Sequence, residues 1–383
     1  MKIRKILKRC TAAMLAAAIG MTTLAANVSA ATSGVSIGYT WNSSVNPTIK
    51  NRKNGVTGGV SGQYIKAGEQ ICRFSPSSTS DWAFCIEPAK SMQGASYKDW
   101  YTQNGFTKYD TFDLSDKNKA DSFAYWKSIG GTDGPMAKYL GLVQYYGYSS
   151  HKTGDYYAAT QCLIWELILG YRGHTQAGFG KCSDILWNDF TYPSGGWCTR
   201  SGVEKAYNDI VSNVKDHYKL PSAMRSTKAQ AKDEPNVMKY NAENLRYETK
   251  VTVPTSYVTA SSLAHNFSSL ESKLGSLIKS KFSGTFGKDY GLETEMSGTN
   301  TVYTIWSKER QFTSSGDSSI YVTESIPMQM KNSLKKQETL FANSYYQTCL
   351  LSTRLDPVVG YVGLASYNEP NLTVEKTYTD SSN

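Results

Sequence analysis

The sequence predicts an α+β domain followed by an all-β, sandwich-like domain, and three observations support this fold class. The 383 residues are enough for about two domains of roughly 150 residues each. A composition of 40% apolar and 19% charged residues is typical of a globular chain that forms a core. The apolar pattern also changes along the chain, from short strands to helices and then back to strands.

The first domain is assigned to residues 31–220, with its strands before its helices. The segment from Ser36 to Pro88 is rich in Gly, Ser and β-branched residues and contains strand-like runs at Gly62–Phe74 and Trp82–Ile86. Between Ser115 and Lys219 the apolar period becomes helical. The predicted helices are Lys117–Ile129, Pro135–Tyr146, Tyr156–Leu169 and Val203–Tyr218.

A polar stretch without periodicity, 221–235, reads as a linker to the second domain at 236–370. One helix is expected there, near Leu263–Lys281, among strands that suggest a β-sandwich. The strand-like runs are Tyr247–Val258, Thr301–Trp306, Ser319–Ile326, Gln347–Ser352 and Val358–Ser366. Residues 371–383 look like the start of a further β-module or a tail.

Residues 1–30 have the pattern of a secretory signal peptide. Basic residues precede an apolar stretch, Thr11–Ala26, and small residues follow, so cleavage is expected after Ala30. Residues 1–30 contribute five positive charges to the net charge of +9. The net positive charge of the rest of the chain is therefore too small to suggest nucleic-acid binding. No second apolar run of membrane-spanning length follows, so we expect a secreted protein.

Cysteine pairing is the default expectation in an exported chain. Cys182 and Cys198 flank a loop rich in Gly and aromatic residues, and a disulfide between them is predicted, with two free thiols as the alternative. The four histidines match no zinc spacing, so neither a metal site nor a cofactor is expected. After the signal peptide the cysteines are Cys72, Cys85, Cys162, Cys182, Cys198 and Cys349.

Two apolar segments each carry one reactive side chain. The helix Tyr156–Leu169, with Asp155 as predicted N-cap and Gly170 just beyond its end, is apolar on nearly every face and should be buried. Gln161 in its middle would cost about 1–3 kcal/mol if its amide were buried without partners. Cys85 lies on a short apolar strand that ends at a proline. An ordinary backbone hydrogen bond for the amide and a core or disulfide role for the thiol are the simplest interpretations.

These two segments resemble the thioester domains of Gram-positive surface adhesins. Phe84–Pro88 (Phe-Cys-Ile-Glu-Pro) matches the aromatic-Cys-apolar-acid-Pro motif of the family, and Ala159–Trp165 (Ala-Thr-Gln-Cys-Leu-Ile-Trp) matches its Thr-Gln-x-Ala-Ile-Trp motif. The resemblance covers about residues 36–220 and implies a β-barrel or sandwich part with a helical part. Cys162, where the family more often has Ala, departs from the motif.

The resemblance implies that Cys85 and Gln161 condense into an internal thioester that captures an amine. Glu87, Thr160 and Trp165 are then supporting neighbours. The expected partner is a host surface or extracellular-matrix protein that offers a lysine. The chain would act once rather than turn over as an enzyme, and it would reach the membrane only indirectly, through attachment to the Gram-positive cell wall.

Two other classes of function remain open on the residues alone. The many Tyr and Trp residues suit a module that binds carbohydrate or protein without a covalent bond, with Cys85 purely structural. A cysteine hydrolase would use Cys85 as nucleophile with His151 or His174 as base, although nothing around Cys85 resembles a papain-type signature.

Overall fold

The computed structural model describes residues 32–50, 52, 62–90, 92, 98–110, 125–131, 134–259, 265–311, 324–329, 338–352, 355–356 and 358–366. The predicted signal peptide (1–30), the predicted tail (371–383) and most of the predicted helix Lys117–Ile129 lie outside these residues. None of the helices described within these ranges is long and apolar enough to cross a membrane. The described residues form two compact units, the first comprising those between 32 and 215 and between 338 and 356, and the second comprising those between 216 and 329 and between 358 and 366.

Strands and helices are numbered here along the chain. The strands are β1 (Thr32–Trp41), β2 (Thr48–Ile49), β3 (Phe74–Pro76), β4 (Phe84–Cys85), β5 (Lys98–Asp110), β6 (Phe190–Thr191), β7 (Asn236–Asn241), β8 (Arg246–Pro254), β9 (Tyr290–Ser297), β10 (Asn300–Ser307), β11 (Glu324–Gln329), β12 (Glu338–Ala342), β13 (Cys349–Ser352) and β14 (Val359–Ser366). The helices are α1 (Pro135–Gln144), α2 (Gly154–Ile168), α3 (Arg200–Asp216), α4 (Lys228–Asp233), α5 (Thr255–Val258) and α6 (Leu270–Lys281).

The main sheet of the first unit is a nearly closed antiparallel barrel. Its strand order is β3-β1-β5-β12-β13-β4. The two outer strands meet where the N–H of Ala83 donates to the carbonyl of Phe74 at 2.9 Å, which joins the ends of the sheet. Closure of this kind removes exposed sheet edges. The expected combination of a β-barrel part with a helical part is therefore present in this unit.

The barrel takes two of its strands from a late part of the sequence. Strands β12 and β13 lie between β5 and β4, although the sequence-based division placed residues 334–356 in the second domain. Gln347–Ser352 was expected to be a strand, and β13 begins two residues later. The alternation of side chains predicts a strand but does not say which sheet it joins, since pairing is decided by tertiary packing.

Helix α2 is the central helix of the first unit, as predicted. All its residues from Tyr157 to Ile168 are buried. Its N-cap is Thr153, whose hydroxyl accepts from the N–H of Tyr156, rather than the predicted Asp155. Asp155 lies instead in the first turn of the helix, where its carboxylate interacts favourably with the helix dipole. It also accepts a hydrogen bond from the N–H of Thr199 at 2.8 Å. Gly170 has a positive φ just beyond the helix, as expected for a residue that ends it.

The second unit contains one six-stranded sheet, in the order β11-β14-β7-β8-β10-β9. Strands β14 and β7 are parallel, and the other neighbours are antiparallel. Helix α6 buries Leu270, Leu274 and Ile278, which share one face, in a common core with residues of the sheet. A helix therefore covers the sheet within the described residues, where the sequence predicted a second sheet of a sandwich.

Candidate functional site

A seam between β3 and β4 is filled by side chains of α2. Beyond the single bond from Ala83 to Phe74, the Tyr157 hydroxyl enters the seam. It accepts from the N–H of Phe74 at 3.2 Å, and it lies 2.7 Å from the carbonyl oxygen of Ala83 and 3.1 Å from that of Cys72. This hydroxyl therefore satisfies backbone groups that a longer pair of strands would have bonded directly.

Gln161, one turn after Tyr157, continues this pairing at Cys85. The N–H of Cys85 donates to Oε1 of Gln161 at 2.9 Å, and Nε2 of Gln161 donates to the carbonyl of Cys85 at 2.8 Å. Both residues are completely buried. The side-chain amide thus occupies the position of a neighbouring peptide group, and the structure brings together the two residues that the sequence motifs single out.

The backbone of Cys85 is available to Gln161 because of its register with β13. Cys85 lies opposite Cys349, and the N–H of Ile86 donates to the carbonyl of Thr348 at 3.0 Å. In an antiparallel pair, a backbone hydrogen bond between these flanking residues means that Cys85 and Cys349 form a non-hydrogen-bonded pair. The N–H and C=O of Cys85 consequently point away from β13 and toward α2.

Neighbouring groups shift the pKa of the Cys85 thiol in opposite directions. Burial raises its pKa well above the usual value, and the neighbouring Cys349 and Glu69 raise it further. The indole N–H of Trp165 and the backbone N–H of Glu87 act in the opposite direction, as donors toward the sulfur. Trp165 Nε1 is buried without a hydrogen-bond partner among the described residues, so the indole N–H is free to donate to the sulfur when the thiol ionises.

Glu87 and Thr160 hold the elements around the pair. The Glu87 carboxylate accepts from the N–H and hydroxyl of Thr348, at 2.9 and 2.6 Å, so it fastens β13 beside β4. The Thr160 hydroxyl donates to the carbonyl of Tyr156 at 2.6 Å and accepts from the N–H of Tyr148 at 3.1 Å. A Cβ at Gly147, which lies at a kink in the π-helical segment Tyr145–Ser149, would lie 2.1 Å from that hydroxyl, so this position requires glycine.

The remaining cysteines lie in other surroundings. All six described cysteines are free thiols, so the predicted disulfide between Cys182 and Cys198 is not formed. Cys182 donates to the carbonyl of Asp184 at 3.1 Å, whereas Cys198 lies close enough to the buried Cys162 to raise the pKa of that thiol. The groups that raise the pKa of Cys162 are Glu166, Cys198 and Asp189 and do not include Cys85, so the thiol next to Gln161 in sequence lies in a different environment.

Glu69 is a buried acid near the site that the sequence analysis did not assign to it. Its side chain is 8% exposed, and burial raises its pKa to about 8, against smaller lowering effects of Lys66 and Gln347. When it is ionised, Glu69 also raises the pKa of Cys85 and of Cys72. At neutral pH this carboxyl is therefore largely protonated. No pattern in the sequence around Glu69 indicates that this side chain is buried.

A buried ion pair on α2 anchors the loop that follows it. Glu166 accepts from Arg172 Nε at 2.8 Å, from the N–H of Leu186 at 3.0 Å, and from the hydroxyl of Tyr207. Both charged side chains are almost fully buried, at 0% and 2% exposure. This network fixes one side of the loop and of α3 against the helix that carries Gln161.

No histidine is among the groups that shift the pKa of Cys85. His151 instead stacks on the ring of Tyr156, with 4.1 Å between the ring centroids, and His174 is exposed. Within the described ranges, no cluster of three His, Cys, Asp or Glu residues has a geometry that would hold a metal ion.

Comparison with known proteins gives one structural likeness. No protein-family model and no curated protein matches the sequence. A solved thioester domain is similar over 87% of this chain and 98% of its own length, at 14% identity and a TM-score of 0.37. It is the thioester domain of the Staphylococcus aureus TIE protein. A TM-score of this size is too low to establish a common fold.

Proposed function

We propose that Cys85 and Gln161 condense into an internal thioester and that the chain is a secreted surface adhesin that captures an amine covalently. The observation that carries the proposal is the reciprocal hydrogen bonding, at 2.9 and 2.8 Å, between the Gln161 amide and the backbone of Cys85. The resemblance of the Cys and Gln motifs to adhesin thioester domains supports the same chemistry from the sequence.

Thioester formation requires the sulfur of Cys85 to attack the amide carbon of Gln161. The sulfur–carbon bond forms, the carbon–nitrogen bond breaks, and the thiol proton leaves with the nitrogen as ammonia. An amide and a thiol do not react in dilute solution, but groups held in place reach effective concentrations of about 10⁵–10⁸ M. The N–H of Cys85 already donates to Oε1, where negative charge develops during the attack.

Burial then preserves the product until an amine enters. Both residues are excluded from solvent, so water has no ready access to the acyl carbon. An attacking amine forms an amide with the former Gln161 carbonyl and restores the Cys85 thiol. The chain would act once per molecule, without a cofactor, and a lysine of a host surface or extracellular-matrix protein is the partner that this chemistry fits.

The test is the intact mass of the mature protein, reduced, before and after treatment with methylamine. We expect a native mass that is one ammonia short, and after treatment a methylamide at Gln161. Cys85→Ala should abolish both effects, whereas Cys162→Ala, which removes the adjacent thiol, should keep them. A full native mass without methylamine addition would overturn the proposal and favour non-covalent binding.

A further inference from the structure

Cys85 has a second buried thiol opposite it on the neighbouring strand. Cys85 and Cys349 are register partners across the β4–β13 pair. The hydrogen bond from the N–H of Ile86 to the carbonyl of Thr348 shows that Cys85 and Cys349 form a non-hydrogen-bonded pair of the ladder. At such positions the Cα atoms are about 4.5 Å apart, and both side chains lie on the same face of the sheet.

This arrangement falls within the geometry of a disulfide. Disulfide-bonded cysteines have Cα atoms about 4.4–6.8 Å apart and Cβ atoms about 3.5–4.5 Å apart. Both side chains are completely buried, and after burial itself Cys349 is the group that raises the pKa of the Cys85 thiol most. The sulfur of Cys349 lies 4.0 Å from the carbonyl oxygen of Gln347, which is at the limit of a weak hydrogen bond and does not hold it firmly.

We propose that Cys85 and Cys349 form a dithiol site that reacts with low-molecular-weight disulfides, so that Cys85 has two mutually exclusive covalent partners, Cys349 and Gln161. The dithiol itself depends only on the strand register. The competition between the two bonds rests in addition on the proposed thioester.

The reaction with a small disulfide, RSSR, is balanced by two exchange steps. The thiolate of one cysteine attacks RSSR, forms a mixed disulfide and releases the first RSH after protonation. The second cysteine attacks the mixed disulfide at the protein sulfur, forms the Cys85–Cys349 bond and releases the second RSH. The two protein thiols are oxidised by two electrons, and RSSR is reduced to two RSH.

Burial decides when this exchange takes place. Neither thiol is exposed in the folded chain, so a small disulfide reaches them while the barrel is still open, before β13 docks beside β4. A mixed disulfide formed at that stage is resolved when β13 docks and brings Cys349 opposite Cys85; the resulting Cys85–Cys349 bond leaves Cys85 without a nucleophilic sulfur, and the Gln161 amide stays intact. The redox state during folding therefore selects between a chain able to form the thioester and one that is not.

Cys72 provides a matched control, because it is also buried near Cys85. Its sulfur has another neighbour, Asn46 Nδ2, at 3.8 Å, and it is not the register partner of Cys85. Cys72 raises the pKa of Cys349, as Cys349 raises the pKa of Cys85, so the three thiols are near neighbours. The proposal therefore predicts a specific partner among the thiols of this region.

The experiment refolds the reduced, denatured mature protein either in a reductant or in a glutathione mixture dominated by oxidised glutathione. Peptide mapping without reduction then locates any disulfide, and intact mass measures the loss of ammonia. We expect the oxidising mixture to yield a Cys85–Cys349 disulfide and to reduce the fraction of chains that lack ammonia at least severalfold. Cys349→Ser should keep the ammonia loss in both buffers, and Cys72→Ser should behave as the unaltered chain does.

Gln161→Ala separates this inference from the proposed function, since it cannot form the thioester but keeps both thiols. It should still form the Cys85–Cys349 disulfide in oxidised glutathione. That result, combined with no ammonia loss from the unaltered protein, would refute the thioester and leave the dithiol site standing. Cys85 that stays unpaired, or that pairs with another cysteine, in both proteins would overturn the dithiol site.

Discussion

The side-chain amide of Gln161 is hydrogen-bonded to both backbone groups of Cys85, 76 residues away. Its oxygen accepts from the N–H of Cys85, and its nitrogen donates to the carbonyl of Cys85. This pairing continues the barrel seam that Tyr157 bridges one helical turn earlier. The amide is thereby held in one orientation, with its oxygen at a donor. The Gln161 amide makes the hydrogen bonds that a neighbouring strand would otherwise make with Cys85. Because its oxygen and nitrogen both have partners, this polar side chain is tolerated at the centre of an apolar helix.

The indole N–H of Trp165 should assist the chemistry at Cys85. Trp165→Phe removes the indole donor, and because that donor favours the thiolate we expect thioester formation to slow severalfold. The ammonia loss followed over time after refolding measures this rate. Trp187→Phe is the control, since Trp187 Nε1 is also buried without a partner among the described residues but is not among the groups that shift the Cys85 pKa. Equal rates for the two variants would exclude a role for the indole donor.

The Tyr157 hydroxyl should stabilise the barrel. Tyr157→Phe leaves the N–H of Phe74 without its 3.2 Å acceptor inside the core, so the free energy of unfolding should fall by about 1–3 kcal/mol. Urea denaturation measures this change. Tyr39→Phe is the matched control, because Tyr39 is fully buried and its hydroxyl has no partner among the described residues, so its removal should be neutral or slightly stabilising. A neutral Tyr157→Phe would argue against the bridging role.

Glu69 should make stability depend on pH. Its folded pKa of about 8 is above the ordinary value, so the folded chain holds the proton more tightly than the unfolded chain does. The stabilisation is complete below the unfolded pKa and is lost as pH rises through about 8, with a slope near 1.4 kcal/mol per pH unit in between.

Glu69→Gln removes this titration. Its stability should vary less between pH 5 and pH 8 than that of the unaltered protein, and the variant should be relatively more stable at pH 8. Chemical denaturation at both values provides the comparison. Parallel pH profiles for the two proteins would show that Glu69 titrates normally in the folded chain.

The rate of amine capture should rise with pH. A lysine side chain attacks only when neutral, and with a pKa of about 10.4 its neutral fraction increases about tenfold per unit between pH 7 and pH 9. We expect the rate of addition of Nα-acetyl-lysine at Gln161 to follow this increase, with Cys85→Ala as the unreactive background. A rate that is flat over this range would contradict attack by the neutral amine.

The buried pair of Arg172 and Glu166 should be sensitive to the loss of one partner. Arg172→Met leaves the carboxylate uncompensated and should destabilise the chain by about 3–5 kcal/mol. The double variant with Glu166→Met as well should recover much of that loss. Urea denaturation of both variants makes the comparison, and a double variant no more stable than the single one would show that the charge is not what destabilises it.

Local sequence patterns predicted the elements of the site better than they predicted their partners. The helix expected at Tyr156–Leu169 is present at Gly154–Ile168, because its length and apolar faces are local properties. The strand expected at Gln347–Ser352 is also present, but its place beside β4 depends on contacts far away in sequence. Cys349 could not be assigned to the site for the same reason, since its importance arises only from register with Cys85.

Because β12 and β13 follow the strands from β7 to β11 in the sequence, synthesis of the chain imposes an order on assembly. A ribosome makes five strands of the second unit, β7 to β11, before it makes the last two strands of the barrel, and β14 follows them. Until β13 is made, Cys85 lacks its neighbour on one side. The surroundings of Cys85 are therefore complete only after β13 has been synthesised, and a fragment that stops at residue 220 would carry Cys85 and Gln161 but lack the strand that lies beside β4.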